Sequence, residues 1–224
     1  MSRKNASAIC ILVAAIWGGG FIATDAALAT FDPFTVLLIR FLGASLVCWI
    51  IVGIQKIRIT KSGVLKGSLS GLFLYLAFAF QTFGLDMTNT GQNAFLTAVN
   101  VVMVPYIAWL IFKKRPQFMQ VFASLICLIG IGCLSLSKGQ FHFSFGDGLS
   151  LMCAFFFACH FISLEYSTKG QDVRLINAIQ MSVAAIVSIP SALCLETLPS
   201  HISLMAVFSC LYMILIATWL AVQL

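Results

Sequence analysis

The sequence predicts an all-α polytopic membrane protein of eight transmembrane helices, arranged as five-helix inverted repeats of which the second is incomplete. Three observations support this prediction. Hydrophobic residues make up 61% of the 224 residues and charged residues only 9%. Apolar runs of about twenty residues, the length that crosses a bilayer as a helix, recur along the whole chain. Basic residues gather in alternate connections between these runs.

Each apolar run is long enough to span a membrane. A helix rises about 1.5 Å per residue, so about twenty residues cross a hydrocarbon core of roughly 30 Å. The strands of a membrane barrel would instead show alternating polarity over about ten residues, and no such alternation appears. The predicted spans are residues 7–29, 34–54, 64–84, 90–112, 117–136, 146–166, 173–195 and 203–223.

The distribution of charge predicts the orientation. Eleven of the 13 Lys and Arg residues fall on the side of the N-terminus, Lys138 alone falls in a connection on the other side, and Arg40 lies within the second span. This bias indicates a cytoplasmic N-terminus. Contact with anionic membrane lipid accounts for the net charge of +6, and the pattern argues against nucleic acid as a partner.

The first span resembles a secretory signal peptide, because Arg3 and Lys4 precede it and Ala27-Leu28-Ala29 at its end matches a small-residue cleavage site. Trp17, Asp25 and seven further spans instead favour an uncleaved helix. All eight cysteines lie within spans, and no two are separated by two residues, so neither a metal site nor a disulfide framework is predicted. No cofactor is predicted.

An internal repeat is predicted from weak self-similarity. A shift of 140 residues aligns Phe21-Ile22-Ala23-Thr24-Asp25 with Phe161-Ile162-Ser163-Leu164-Glu165, and it pairs Arg40 with Gln180. Span one then corresponds to span six, span two to span seven and span three to span eight. The repeating unit is five helices, and because five is odd, the two copies have opposite topology.

Residues 1–140 form the first predicted repeat, and residues 141–224 supply three helices of the second. Inverted repeats are typical of secondary transporters, which bind substrate near the membrane midplane between the repeats. Two five-helix units need ten spans, so we expect the chain to be truncated after its eighth helix.

An ordered set of local patterns runs through the first four spans. It comprises Trp17-Gly18-Gly19-Gly20-Phe21, Pro33-Phe34, Leu38-Ile39-Arg40-Phe41, Phe83-Gly84-Leu85-Asp86, Asn93-Ala94-Phe95-Leu96-Thr97 and Pro105. Together these patterns resemble the drug/metabolite transporter superfamily, specifically its EamA-type members.

The resemblance implies ten helices, both termini in the cytoplasm, and export or exchange of small metabolites across a bacterial inner membrane. Many relatives carry a glutamate at the end of the fourth helix, where this chain has Phe112-Lys113-Lys114. A role for that glutamate therefore does not transfer to this chain.

Arg40 is the first candidate for the substrate pathway. A charge within a span costs about 2.5–3.5 kcal/mol on insertion scales, so it usually faces a cavity or a partner. It is expected either to line a vestibule, where it attracts anionic groups or pairs with Asp25 or Asp32, or to reach outward to lipid headgroups. Trp17, near mid-bilayer, is expected to line the central cavity or to pack against neighbouring helices.

The fourth span presents a polar stripe. Asn93, Thr97 and Asn100 recur at spacings of four and three residues, which places them on one helix face. The stripe is predicted to line a cavity for a polar, zwitterionic solute, and hydrogen bonding between helices is the alternative. Pro105 removes a backbone donor and is predicted to kink this helix.

Gln81 and Gln223, related by the repeat, are predicted to face each other across the pathway. Asp25 and Glu165 are candidates for proton coupling, because desolvation raises the pKa of a carboxyl group. Their positions near helix ends also fit a purely interfacial role. His160 is expected to be a packed or hydrogen-bonded core residue rather than a proton relay.

The sequence thus predicts a secondary transporter of a small polar metabolite, working by alternating access, with membrane lipid and a small-molecule substrate as partners; a dimer is also allowed. A non-transporting fragment, or half of a split assembly, is the main alternative. A membrane-embedded enzyme fits less well, because the three histidines form no catalytic motif.

Overall fold

The computed structural model describes residues 3–113, 115–136, 143–197, 199 and 201–221, and its regular structure over these residues is helical. The α-helices are α1 (Arg3–Leu28), α2 (Pro33–Ile54), α3 (Lys61–Met87), α4 (Thr90–Ala98), α5 (Asn100–Phe112), α6 (Phe118–Leu136), α7 (Phe145–Thr168), α8 (Val173–Leu195) and α9 (Leu204–Leu211). A π-helix, Tyr212–Leu220, continues directly from α9.

Six helical segments are long and apolar enough to cross a membrane, with α4 and α5 counted together. Two shorter apolar helices accompany them, Phe118–Cys127 within α6 and Leu204–Leu220. The prediction of an all-helical polytopic membrane protein is therefore confirmed, and the count of eight spans is approximate.

Polar side chains fix the beginnings of several helices. Thr60 precedes α3, and its hydroxyl accepts a hydrogen bond from the Gly63 backbone N–H at 3.0 Å. Ser144 precedes α7 and forms a capping box with Asp147, in which each side chain accepts from the other residue's backbone N–H. Pro33 occupies the first turn of α2, where its missing N–H costs nothing.

The predicted fourth span is divided in two at Val99, six residues before Pro105. Asn100 Nδ2 donates to the Thr97 carbonyl oxygen at 2.8 Å and so competes for the acceptor that the next helical turn would use. Pro105 lies inside α5 and removes the hydrogen bond to the carbonyl of Val101. The break at Val99 therefore lies close to two carbonyl groups, those of Thr97 and Val101, whose regular helical hydrogen bonds are disturbed.

Close helix crossings use small residues. The α3 helix packs along both α7 and α8, and α2 packs along α8. Where α2 meets α8, the hydroxyls of Ser45 and Ser182 lie 2.8 Å apart and Trp49 Nε1 donates to Ser182 Oγ at 2.7 Å. Small residues allow backbones to approach closely when lipid gives no hydrophobic driving force between helices.

The loops after α2 and α7 share one end of the bundle, which we call the basic face. Thr60 Oγ1 donates to Gln171 Oε1 at 2.5 Å, and Arg174 is hydrogen-bonded to Gln55. Arg174 also forms an ion pair with Asp172 at 2.8 Å, and its hydrogen bond lowers the pKa of the Asp172 carboxyl. The loops of this face contain Lys56, Arg58 and Lys169.

The loops after α1 and α8 share the other end, which we call the opposite face. Glu196, which follows α8, caps the start of α2 by accepting from the backbone N–H groups of Phe34 at 2.8 Å and Thr35 at 2.7 Å. The hydroxyls of Thr30 and Ser203 lie 3.4 Å apart. Side-chain contacts thus connect helices from the two predicted repeats at both ends of the bundle.

Candidate functional site

A cavity of about 250 Å³ lies between α1–α5 on one side and α7, α8 and the π-helix on the other. Its wall is mostly apolar, with seven polar or basic side chains, and no Asp or Glu is among the lining residues in the described part of the chain. The lining consists of Trp17, Gly20, Phe21, Arg40, Leu74, Phe78, Gln81, Thr97, Asn100, Phe157, His160, Phe161, Leu164, Gln180, Met181, Ala217, Thr218 and Ala221.

Arg40 provides the one full positive charge among these lining residues. Its side chain is buried among the helices, at 4% exposure. Its Nε donates to Thr218 Oγ1 at 2.7 Å, and its guanidinium lies over the Phe78 ring, 4.0 Å from the centroid. Among the described residues neither Asp25 nor Asp32 forms an ion pair with it.

Among the described residues, the partners of the Arg40 guanidinium are a hydroxyl and an aromatic ring and include no carboxylate, so most of its charge is uncompensated. The aromatic face supplies a cation–π attraction, which is weaker than a full ion pair. An anionic group entering the cavity would therefore meet a positive charge in surroundings of low dielectric constant, where the attraction is strong.

His160 and Gln180 line the opposite wall and belong to a buried hydrogen-bonded chain. His160 Nδ1 lies 3.2 Å from the Ser70 carbonyl oxygen and 3.3 Å from Ser70 Oγ. Ser70 Oγ donates to Gln180 Oε1 at 3.2 Å, and Gln180 Nε2 donates to Asn177 Oδ1 at 2.8 Å. The chain joins α7, α3 and α8, so it holds the ring of His160 in a fixed orientation.

The polar stripe of the fourth span divides into two parts. Thr97 and Asn100 line the cavity, and Oδ1 of Asn100 is buried without a hydrogen-bond partner among the described residues. Asn93 does not line it. Its Nδ2 donates to Ser150 Oγ at 2.8 Å and to the Gln81 carbonyl oxygen at 3.2 Å, so this residue connects helices.

Aromatic rings form much of the remaining wall. Trp17 lines the cavity while keeping 40% of its surface exposed, and its ring centroid lies 6.5 Å from that of Phe161. Phe78 and Phe157 pack edge to face at 5.0 Å. These rings offer an apolar surface beside the charge of Arg40.

The two carboxylates considered for proton coupling do not line the cavity. Asp25 is exposed on α1. Glu165 is 73% exposed and forms an ion pair with Lys169 at 3.0 Å. The prediction for both residues rests on their position along a span, which does not determine the direction in which a side chain points. Gln223 lies outside the described residues, whereas Gln81 is buried and lines the cavity.

Three lining groups are not predicted as pathway residues by the sequence. Gln180 aligns with Arg40 in the predicted repeat, and this alignment is the one sequence signal for any of the three. No sequence pattern indicates Thr218, and His160 is predicted to be a packed or hydrogen-bonded core residue. Thr218 lies in the π-helix, and irregular helical turns of this kind often occur at functional sites.

An all-helical membrane protein with a partly polar cavity between two sets of helices has the architecture of a polytopic membrane transporter. Comparison with known families agrees with this class. Residues 5–136 match the model of the EamA-like transporter family, and the chain belongs to that family.

A curated relative and a solved structure extend the comparison. The chain is 32% identical over 181 residues to an uncharacterized transporter of Archaeoglobus fulgidus, with 81% of this chain and 56% of the relative aligned. The chain thus spans little more than half the length of that relative. A crystal structure of another protein, 16% identical, superposes with a TM-score of 0.71 over 99% of this chain and 77% of its own, and this likeness concerns the fold alone.

Proposed function

We propose that the chain is a secondary transporter that exports or exchanges a small anionic or zwitterionic metabolite through the cavity. The single observation that carries the proposal is Arg40, a buried guanidinium facing a cavity with no carboxylate among its described lining residues. A membrane-embedded charge usually marks a substrate or ion pathway. Asn100 Oδ1 offers an acceptor for a donor group on the same solute.

We further propose that transport proceeds by alternating access between inverted repeats at residues 1–140 and 141–224. The helix contacts support this symmetry: α3 packs on α7 and α8, and the α9–π-helix segment packs on α1 and α2, as exchange of the repeats requires. The loop contacts also correspond. Thr60 contacts Gln171 at the basic face and Ser203 contacts Thr30 at the opposite face, at offsets of 143 and 141 residues.

The proposed orientation places the basic face in the cytoplasm, because basic residues predominate in its loops. The resemblance to EamA-type proteins supports a bacterial inner membrane. Membrane lipid and the transported solute are the partners that the proposal requires, and dimerisation stays a prediction.

A binding assay tests the proposal with three compounds that have the same phenylpropyl skeleton and differ in the charge of the end group. The purified protein in detergent is heated with 3-phenylpropanoate, the neutral 3-phenylpropanamide or the cationic 3-phenylpropylamine. The carboxylate should raise the unfolding temperature, because ligands that bind only the folded state stabilise it, whereas the amine should not. Equal shifts from carboxylate and amine would contradict an anion site.

Two variants at position 40 and a flux assay complete the test. Arg40→Gln should abolish the carboxylate-dependent shift, and Arg40→Lys, which keeps the charge but not the planar fork, should retain part of it. Uptake of radiolabelled 3-phenylpropanoate into proteoliposomes should exceed uptake into protein-free liposomes and should fall to that level with Arg40→Gln. Uptake no faster than the leak would overturn transport of this anion.

A further inference from the structure

The protonation of His160 follows from the direction of the hydrogen bonds around it. Gln180 Nε2 donates to Asn177, so the Oε1 of Gln180 is the acceptor that Ser70 reaches. A carboxamide oxygen carries no hydrogen, and the Ser70 hydroxyl must therefore donate its single proton there. Ser70 Oγ then presents only lone pairs to the imidazole.

Ser70 offers His160 two acceptors and no donor. Nδ1 lies within 3.3 Å of both the Ser70 hydroxyl oxygen, whose proton is already used, and the Ser70 carbonyl oxygen. Nδ1 must consequently carry the hydrogen. In a neutral imidazole the other nitrogen is then an unprotonated acceptor, so Nε2 of His160 holds a basic lone pair. None of the described residues forms a hydrogen bond with Nε2.

Arg40 is the charged side chain that lines the same cavity as this imidazole. Arg40 belongs to α2, and the cavity has a volume of about 250 Å³. From α3, Lys66 turns to the basic face, where its Nζ donates to the Lys169 carbonyl oxygen at 3.3 Å. On α7 itself, Glu165 is exposed beside Lys169. The parts of α1, α4, α5, α8 and the π-helix that line the cavity contribute uncharged side chains.

Resting on the proposed function, we propose that Nε2 of His160 is a proton-binding site and that the cavity binds one anion together with one proton. In the empty cavity a proton on Nε2 would add a second positive charge to a cavity that Arg40 already lines, and like charges disfavour each other. A bound carboxylate removes this penalty because it neutralises one of the two charges. Proton and anion therefore favour each other's binding, and the effect is reciprocal.

The proton balance of the cycle is simple. Nε2 accepts a proton from water on the side to which the cavity is open when the anion enters, and the imidazole becomes an imidazolium with both nitrogens protonated. It returns that proton to water on the other side when the anion leaves. Arg40, Nδ1 and the Ser70–Gln180–Asn177 chain keep their hydrogens throughout, so His160 alone changes protonation state.

Titration calorimetry of 3-phenylpropanoate between pH 6 and pH 8.5 tests the coupling, since free carboxylic acids titrate near pH 4 and the probe stays ionised. The affinity should increase as the pH falls, and the usual coupling between two sites, about 5- to 150-fold, is the upper limit of the increase over this pH range. Measurements in two buffers of different ionisation enthalpy should show uptake of up to one proton per bound anion.

Three variants locate the proton. His160→Asn, whose Nδ2 replaces the Nδ1 donor to Ser70, should bind the carboxylate with an affinity independent of pH and without proton uptake. His160→Gln serves as a second neutral variant if the first does not fold. His201→Asn removes an exposed loop histidine and should behave like the unmodified protein.

The outcomes separate this inference from the proposed function. If 3-phenylpropanoate binds the unmodified protein with no pH dependence and no proton uptake, the proton site is refuted and the anion site stands. If pH dependence persists in the neutral His160 variants, the proton binds elsewhere and the inference is equally refuted. Absence of carboxylate binding at every pH would overturn the anion site itself.

Discussion

Gly71→Ala probes the close approach of α3 to α8 that forms one wall of the cavity. A methyl group at position 71 would lie 2.7 Å from the Gln180 carbonyl oxygen and 2.8 Å from its Cα. Both atoms belong to the backbone, so rotation of a side chain cannot relieve the overlap and the helices must separate. Gly18→Ala is the matched control, because a methyl group there would meet nothing within 4 Å.

The expected difference between the two variants follows from two contributions. Each substitution gains up to about 1 kcal/mol of helix propensity, and this gain cancels in the comparison. Overpacking costs about 1–3 kcal/mol and applies only at position 71. For a chain of this size each kcal/mol corresponds to roughly 2–4 °C, so Gly71→Ala should unfold about 2–12 °C below Gly18→Ala.

Thermal unfolding in detergent, followed with a thiol-reactive fluorescent dye, measures this difference. Cys48, Cys153 and Cys210 are free and buried, so they react only as the helices separate. Equal unfolding temperatures for the two variants would refute the close approach of α3 to α8.

Two further predictions concern carboxylates away from the cavity. Glu196→Ala should lower the unfolding temperature by about 1–8 °C, because loss of a helix cap costs about 0.5–2 kcal/mol. An unchanged temperature would mean that the contacts of Glu196 with α2 contribute nothing. Asp25→Asn and Glu165→Gln should leave the pH dependence of 3-phenylpropanoate binding unchanged, because both side chains are exposed outside the cavity. Titration calorimetry across the same pH range measures this. If the affinity for 3-phenylpropanoate depended less on pH in either variant, that carboxylate would be a proton-coupling group and the prediction would be contradicted.

The positions of the helices could be predicted from the sequence because a bilayer leaves the backbone little choice. Each span must satisfy its own N–H and C=O groups, so apolar length alone predicts a helix. The predicted spans end within a few residues of the helices described here, and cap residues such as Thr60 and Ser203 account for several of the starts. Arg40 could be singled out for the same reason, since a charge inside a span is costly enough to require an explanation.

The divided fourth helix shows where sequence patterns stop being sufficient. Asn93 and Thr97 are four residues apart, share a helix face and both contact α7, through Ser150 and Cys153 respectively, yet only Thr97 also lines the cavity. Spacing predicts which residues share a helix face, but not where along that face the cavity begins. The competition of Asn100 for the Thr97 carbonyl likewise depends on a rotamer, which the sequence does not specify.

By itself the sequence determined that this chain crosses a membrane repeatedly, which connections carry the positive charge, and that one arginine is embedded within a span. Only the tertiary structure decided which polar groups meet in one cavity. Hydropathy does not encode the rotation of each helix about its axis, because lipid-facing and protein-facing surfaces are both apolar. That rotation turns Asp25 and Glu165 outward, and it brings Arg40, His160 and Gln180 to the walls of one cavity.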